Sequence, residues 1–302
     1  MIFLAPEFLR GSYPPLVTPF RDGAVDYDAF AALVEYQIRE GSHGLVVTGT
    51  SGEPSTLTLD ERGELFTVAV RTAHGRLPVV AAAGSQSHAE SVELITRAEH
   101  AGVDALLMVT PYYIRPPQRG LAEYYIDLGA RTRLPLLIYH IPGRAAVSLQ
   151  LDTLEHIAEK VPHFVGIKHA VNDLTFATQM LDRFGFDFRL FVGLEELSFP
   201  MLAIGGSGLM NAVGNVAPRK VAQLYELTAA GNLAAARQLH FALFELNQAV
   251  FFDTNPIPIK YMMKRLGLLR ANEHRLPMVP ATADLEKRLD GVLRRAGLIA
   301  VD

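Results

Sequence analysis

The sequence predicts a closed (β/α)8 TIM barrel followed by a helical appendage, an α/β fold, and three observations carry that prediction. Roughly eight short apolar or β-branched runs recur along the chain, stretches of helical period lie between them, and nearly all the runs are continuously apolar. Parallel strands covered on both faces have that last property, and eight strand-helix units suit closure into a barrel. An open, doubly wound sheet is the other arrangement the pattern allows.

The predicted strands, in order, are Pro15 to Thr18, Gly44 to Thr48, Pro78 to Ala82, Asp104 to Val109, Leu134 to Tyr139, Phe164 to Lys168, Arg189 to Gly193 and Ser207 to Ala212. Among the intervening helices, Asp26 to Glu40 places Phe30, Leu33, Val34 and Gln37 on one mainly apolar stripe. Gly41, Gly75 and Gly102 follow helical stretches as C-terminal caps, and Ser87 with Glu90 has the spacing of a capping box. After Pro218 the pattern is helical only, through Asn232 to Phe252, Pro258 to Leu268 and Ala281 to Ala296. The expected division is a barrel over 1–230 and a helical region packed on it over 231–302.

Composition narrows the chemistry. The chain has 302 residues, 49% of them hydrophobic and 20% charged, with a net charge of −4, so no basic field is present to attract a nucleic-acid backbone. With no cysteine there can be no disulfide, thiolate nucleophile or Cys-ligated metal. The ten histidines show no H-E-x-x-H and no clustering with carboxylates, so no metal is expected. Gly205-Gly206-Ser207-Gly208 lacks the third glycine of a dinucleotide fingerprint, Asn211 standing there, and no G-x-S-x-G occurs. No cofactor is expected. Met1 to Arg10 lacks the features of a signal peptide and no window reaches the length of a membrane span, so a cytoplasmic location and no membrane partner are expected.

In a barrel of this class the working face lies at the C-terminal ends of the strands, so polar residues that end apolar runs are the candidates. Lys168 closes Phe164-Val165-Gly166-Ile167, where desolvation disfavours the charged amine. An unprotonated amine can attack a ketone to form an imine, an electron sink for adjacent carbon–carbon chemistry. A strand-end lysine can equally snorkel to solvent. Tyr139 closes the preceding strand, where its phenol could carry protons for that step or simply fill core. Gly49-Thr50-Ser51-Gly52 offers two hydroxyls on a glycine-flanked turn suited to a carboxylate. Arg144, after Pro142-Gly143, presents a planar fork to a carboxylate or to a surface ion pair.

In order along the chain, G-T-S-G-E, V-T-P-Y-Y, Y-x-x-P-G-R, G-I-K and G-G-S-G, with Asn255-Pro256-Ile257-Pro258-Ile259-Lys260 in the tail, resemble the dihydrodipicolinate synthase and N-acetylneuraminate lyase family, nearest its synthase branch. The resemblance covers about Gly11 to Pro277. It implies Lys168 as Schiff-base lysine, Tyr139 as acid/base, Thr50 and Ser51 as pyruvate-carboxylate and relay residues, and Tyr113 as a relay tyrosine lent across a dimer interface. Arg144 would receive the carboxylate of an aldehyde substrate. At least a dimer is required, and tetramers are common in the family.

Several positions depart from that pattern. Ser51 replaces a second threonine, His140 an asparagine, His169 an acidic residue, Leu194-Glu195 a Gly-Asp pair, and Met210-Asn211 an Ile-Ser pair. Met210 is therefore expected to reshape the pocket, and His140, Gly143, His169 and Glu195 to set specificity. Where some synthases bind feedback lysine, Pro54, Leu59, Arg62 and Gln86 stand in place of smaller or polar groups, although Glu90 and Tyr112 match, so no lysine inhibition is expected. The expected activity is a class I lyase condensing pyruvate or another 2-oxo acid with an aldehyde, with tetrahydrodipicolinate-type synthesis first. A catabolic paralogue using the same imine and a non-catalytic 2-oxo acid sensor are the alternatives.

Overall fold

A computed structural model describes residues 2–300. Eight parallel strands form one sheet: β1 (Gly11–Ser12), β2 (Leu45–Val47), β3 (Val79–Ala82), β4 (Ala105–Val109), β5 (Leu136–His140), β6 (Phe164–His169), β7 (Arg189–Val192) and β8 (Gly208–Leu209). Each strand pairs with its sequence neighbours, and β8 returns to β1. The cylinder closes between β1 and β2 through a bridge from Pro15 to Val46, with Val46 N donating to Pro14 O at 3.0 Å and Leu16 N to Val46 O at 2.9 Å. The first strand begins earlier than the apolar run at Pro15 suggests. Pro14 and Pro15 have no N–H to donate, so the ladder is regular only ahead of them.

The helices that follow β2 to β7 in turn are α2 (Leu59–Ala73), α3 (His88–Ala101), α4 (Gln118–Ala130), α5 (Leu151–Lys160), α6 (Leu174–Phe184) and α7 (Ser198–Ala203); α1 (Tyr27–Arg39) follows β1 and α8 (Pro218–Ala229) follows β8. Phe30, Leu33, Val34 and Gln37 are the buried stripe of α1. The capping box falls elsewhere than expected. Ser87 does cap α3, accepting from Glu90 N, but the Glu90 carboxylate accepts from Ser85 Oγ at 2.7 Å instead of returning to the cap. Thr58 and Glu61 form the reciprocal box, at the start of α2.

Two apolar layers result. Val80, Ala105, Leu107, Leu137, Val165 and Phe191 fill the cylinder, and Val47, Ala81, Leu106, Ile138, Ile167 and Leu190 pack outward on the helices. A β-bulge interrupts β6: Leu136 pairs with Phe164 but Leu137 with Gly166, leaving Val165 over. Phe164 belongs to the outer layer, yet Lys168, four residues on, faces inward beside Tyr139, with which it pairs. No side chain fits at Gly166, where a Cβ would lie 2.2 Å from Arg189 O. Three further helices, α9 (Leu233–Ala249), α10 (Ile257–Arg265) and α11 (Ala283–Arg295), lie beyond the barrel; α9 packs on α7 and α8, and α11 on α9 and α10. Among the described residues no helix is long and apolar enough to cross a membrane.

Candidate active site

The mouth of the cylinder opens into a cavity of about 720 Å³, joined to a smaller one of about 40 Å³ through shared walls at Thr50, Tyr139, Ile141, Arg144 and Asn255. Lys168 lines the smaller cavity with Met210, Gly193 and Glu195. Its Nζ lies 4.1 Å above the centre of the Tyr139 ring, and Gly193 leaves room for its stem, since a Cβ there would meet Lys168 Cε at 2.9 Å. Tyr139 and Lys168 are 6% and 4% exposed, so the amine and phenol meet in a nearly dry space.

Thr50 and Ser51 sit on a 3-10 turn that follows β2. Thr50 Oγ1 donates to the Tyr139 hydroxyl at 3.4 Å, tying the turn to the phenol. Ser51 is fully buried and exchanges hydrogen bonds with Asn255, whose Nδ2 donates to Ser51 Oγ at 3.1 Å. Beneath the turn Glu53, in the left-handed region at φ 54°, accepts from Lys260 Nζ at 2.8 Å and faces His274 Nδ1 at 3.2 Å. Lys260 is fully buried, with Nζ 4.4 Å from the centre of the Phe20 ring. A compensated buried charge cluster thus holds the hydroxyl-bearing turn to the C-terminal helices.

Arg144 lies on a one-turn helix, Pro142–Ala145, and its exposed side chain lines both cavities. Gly143 is exposed beside it and lines neither. Tyr113 stands apart: at φ 74° and 84% exposed, it projects from the loop after β4 and touches neither cavity within this chain.

His140 and His169 also stand apart, so neither can set specificity by touching a ligand here. They end β5 and β6 on the outer face, behind Tyr139 and Lys168, and pack on Phe176 of α6. Their Nδ1 atoms are 3.2 Å apart, and His140 Nε2 accepts from Leu149 N at 3.2 Å. That acceptor role leaves the His140 proton on Nδ1, shared with His169. Burial pulls both rings down, His140 to about 3 with His169 as a further cause, so the pair is neutral at ordinary pH.

Glu195 does face the site. It is fully buried, Oε1 accepts from Ala212 N at 2.6 Å and from Val213 N at 3.4 Å, and Oε2 has no partner. Burial pushes its carboxyl up to about 7, against the opposing pull of those amides and of Lys168. Asn255, Glu53 and Lys260 lie in the motifs that carry the resemblance, but the motifs alone assign them no role in the site. A lysine inside the apolar run Ile257-Pro258-Ile259-Lys260-Tyr261-Met262-Met263 was the signal, since such a lysine needs a buried partner.

The profile of the dihydrodipicolinate synthetase family matches residues 8–296. A 4-hydroxy-tetrahydrodipicolinate synthase of Thermus thermophilus is 43% identical over 292 residues, covering 96% of this chain and 97% of its own. Among solved structures, dihydrodipicolinate synthase of Aquifex aeolicus superposes with a TM-score of 0.94 at 35% identity, over 96% of this chain and 98% of its own. The Acinetobacter baumannii enzyme, solved in complex with pyruvate, gives 0.93 at 33% identity over 96% of this chain and 100% of its own.

Proposed function

Since the chain belongs to the dihydrodipicolinate synthetase family, we propose that it is a Schiff-base lyase that condenses pyruvate with an aldehyde, a 4-hydroxy-tetrahydrodipicolinate synthase acting on aspartate semialdehyde. The observation that carries the reading is Lys168 Nζ over the Tyr139 ring, with the Tyr139 hydroxyl linked to Thr50 on the wall of a cavity that also holds Arg144.

The amine of Lys168 adds to the 2-oxo carbon of pyruvate, and loss of that oxygen as water leaves the imine. Tyr139 gives and recovers the protons of these steps, with Thr50 as the next member of the relay. The hydroxyls of Thr50 and Ser51 and the amides of their turn hold the pyruvate carboxylate. Loss of a proton from the pyruvate methyl gives the enamine, whose carbon attacks the aldehyde, and Arg144 takes the carboxylate of that second substrate. Glu195 and Met210 shape the wall beside the imine.

The catabolic alternative rests on the departures from the synthase pattern at His140, His169 and Glu195. Two of these face the helix layer, so only Glu195 still argues for it. A sensor would not need the relay of Lys168, Tyr139 and Thr50. The assembly is read as a cytosolic homo-oligomer, at least a dimer with Tyr113 lent to a neighbouring mouth and in its full form a tetramer. Exposed apolar side chains support this, Tyr113 and Ile114 in one loop and Phe241 on α9.

Intact mass after pyruvate and borohydride tests the reading. A reduced adduct is expected on the wild type and none on Lys168→Ala. An unmodified wild type, or an adduct that survives in Lys168→Ala, would sink it.

A further inference from the structure

The loop that carries Arg144 leaves β5 at His140 and returns to the barrel wall at Leu149, two residues before α5. Its backbone bonds are short-range, from Arg144 N and Ala145 N to Ile141 O and from Ala146 N to Pro142 O. They shape the turn without fixing where it sits. Gln118 ties the loop's exit to α4, donating from Nε2 to Ser148 O at 2.7 Å and accepting from Gln150 N at 3.0 Å. The His140 side chain ties the same exit to the end of β5, where its Nε2 accepts from Leu149 N at 3.2 Å. Arg144 therefore lies inside a ring of chain that an imidazole closes.

An imidazole accepts at Nε2 only while that nitrogen carries no proton. His169 secures that condition. It pairs with His140 across β5 and β6, its Nδ1 stands 3.2 Å from His140 Nδ1, and by accepting there it keeps the His140 proton on Nδ1. The His169 proton is then left on Nε2, which is buried without a partner. An unmatched buried donor is unfavourable for the fold, and here it is the consequence of orienting His140. Neither ring lines a cavity.

Taking the condensation of pyruvate with aspartate semialdehyde as the reaction, we propose that His140 and His169 are positioning residues for the second substrate. They brace the loop from behind and so set where the Arg144 guanidinium meets the incoming carboxylate. A planar fork needs such bracing, because both of its N–H bonds must line up with both carboxylate oxygens. Tyr139 and Lys168 do not depend on the pair, since the ladder holds them: Tyr139 pairs with Val109 and Lys168, and Lys168 with Phe191. The pair acts on the aldehyde half of the reaction and leaves imine formation alone.

The test is steady-state kinetics with pyruvate and aspartate semialdehyde on the wild type, the double variant His140→Leu with His169→Leu, and His140→Gln. The borohydride-reduced pyruvate adduct is followed alongside by intact mass. Replacing both rings removes donor and acceptor together, which the fold tolerates better than losing one. In the double variant the KM for aspartate semialdehyde should rise on the order of tenfold or more, while the KM for pyruvate and the adduct stay at the wild-type level. His140→Gln keeps an acceptor for Leu149 N at similar reach and should stay near the wild type. Hydrogen exchange at the Leu149 amide should be fast in the double variant and slow in the other two proteins. Should the double variant not fold, His169→Asn and His169→Leu decide: the first still accepts from His140 Nδ1 and should behave as wild type, whereas the second should show the rise in KM. The proposal is overturned if the KM for the semialdehyde is unchanged, if the KM for pyruvate rises in step with it, or if His140→Gln is as impaired as the double variant. A wild type that forms the adduct but condenses no aldehyde would overturn the synthase reading as well, and the adduct tells the two failures apart.

Discussion

Arg189 and Arg62 are both buried guanidinium groups, one where β7 begins and the other at the mouth, and they are treated in opposite ways. Arg189 is 2% exposed and gives its donors to three backbone carbonyls, Phe8 and Asp187 at 3.0 Å and Ala5 at 3.2 Å. It staples the N-terminal segment across the base of the cylinder. Arg62 has one carbonyl and an idle Nε. Glu195 and Asn211, also at the mouth, keep unmatched acceptors in Oε2 and Oδ1. Arg189 thus commits its donors to the chain itself, whereas Arg62 and Glu195, which line the cavities at the mouth, keep polar atoms unmatched, in line with a working face at the C-terminal ends of the strands.

If that contrast is real, substitutions at satisfied groups should cost stability and those at unsatisfied groups should not. The largest loss is expected from Lys260→Met, which leaves the buried Glu53 with His274 as its remaining charge partner, at up to about 3–5 kcal/mol by urea unfolding. A milder loss for the double variant with Glu53→Met would locate the cost in the stranded charge. Arg189→Met follows, at about 3 kcal/mol, because it leaves carbonyls unpaired at the base.

Glu195 comes next and brings a pH dependence. Its folded value of about 7 lies above the ordinary 4.5, so the folded state keeps a proton that the unfolded chain releases between those limits. Glu195 should therefore contribute a fall in stability of at most about 3 kcal/mol as pH rises through that window, set against the opposite contribution of the buried neutral His140 and His169. The contribution is read as the difference between wild type and Glu195→Gln when unfolding is followed at pH 5 and pH 8, and an equal pH dependence in the two would assign it to another group. The smallest effect is Arg62→Met, expected to be neutral or stabilising by about 1 kcal/mol in ligand-free protein. A loss as large as that of Arg189→Met would erase the contrast.

Much of this was legible from the chain alone, for a physical reason. Parallel strands buried on both faces must be short apolar runs, so their ends, and with them Tyr139, Lys168 and the Thr50–Ser51 turn, could be located. What those runs hide is phase. Tyr139-His140 and Lys168-His169 each end an apolar run without alternation, and nothing in the letters says which member of either pair faces the cavity. His140 and His169 were accordingly expected at the substrate and lie behind it. The clamp between Glu53 and Lys260 was hidden for another reason, since its partners are 207 residues apart and neither local period nor spacing reports such a contact.

On a strand the address of a side chain is a matter of odd and even, and the bulge in β6 resets that count once. The stretch below Val165 and the stretch above it run on opposite parity, so the helix layer selects Phe164 and the lumen selects Lys168 without either choice constraining the other. A β6 shortened by Val165 would keep the lysine inside. A β6 of the same length ironed flat would turn Lys168 outward and bring His169 in, exchanging the amine for an imidazole with no change of composition at all.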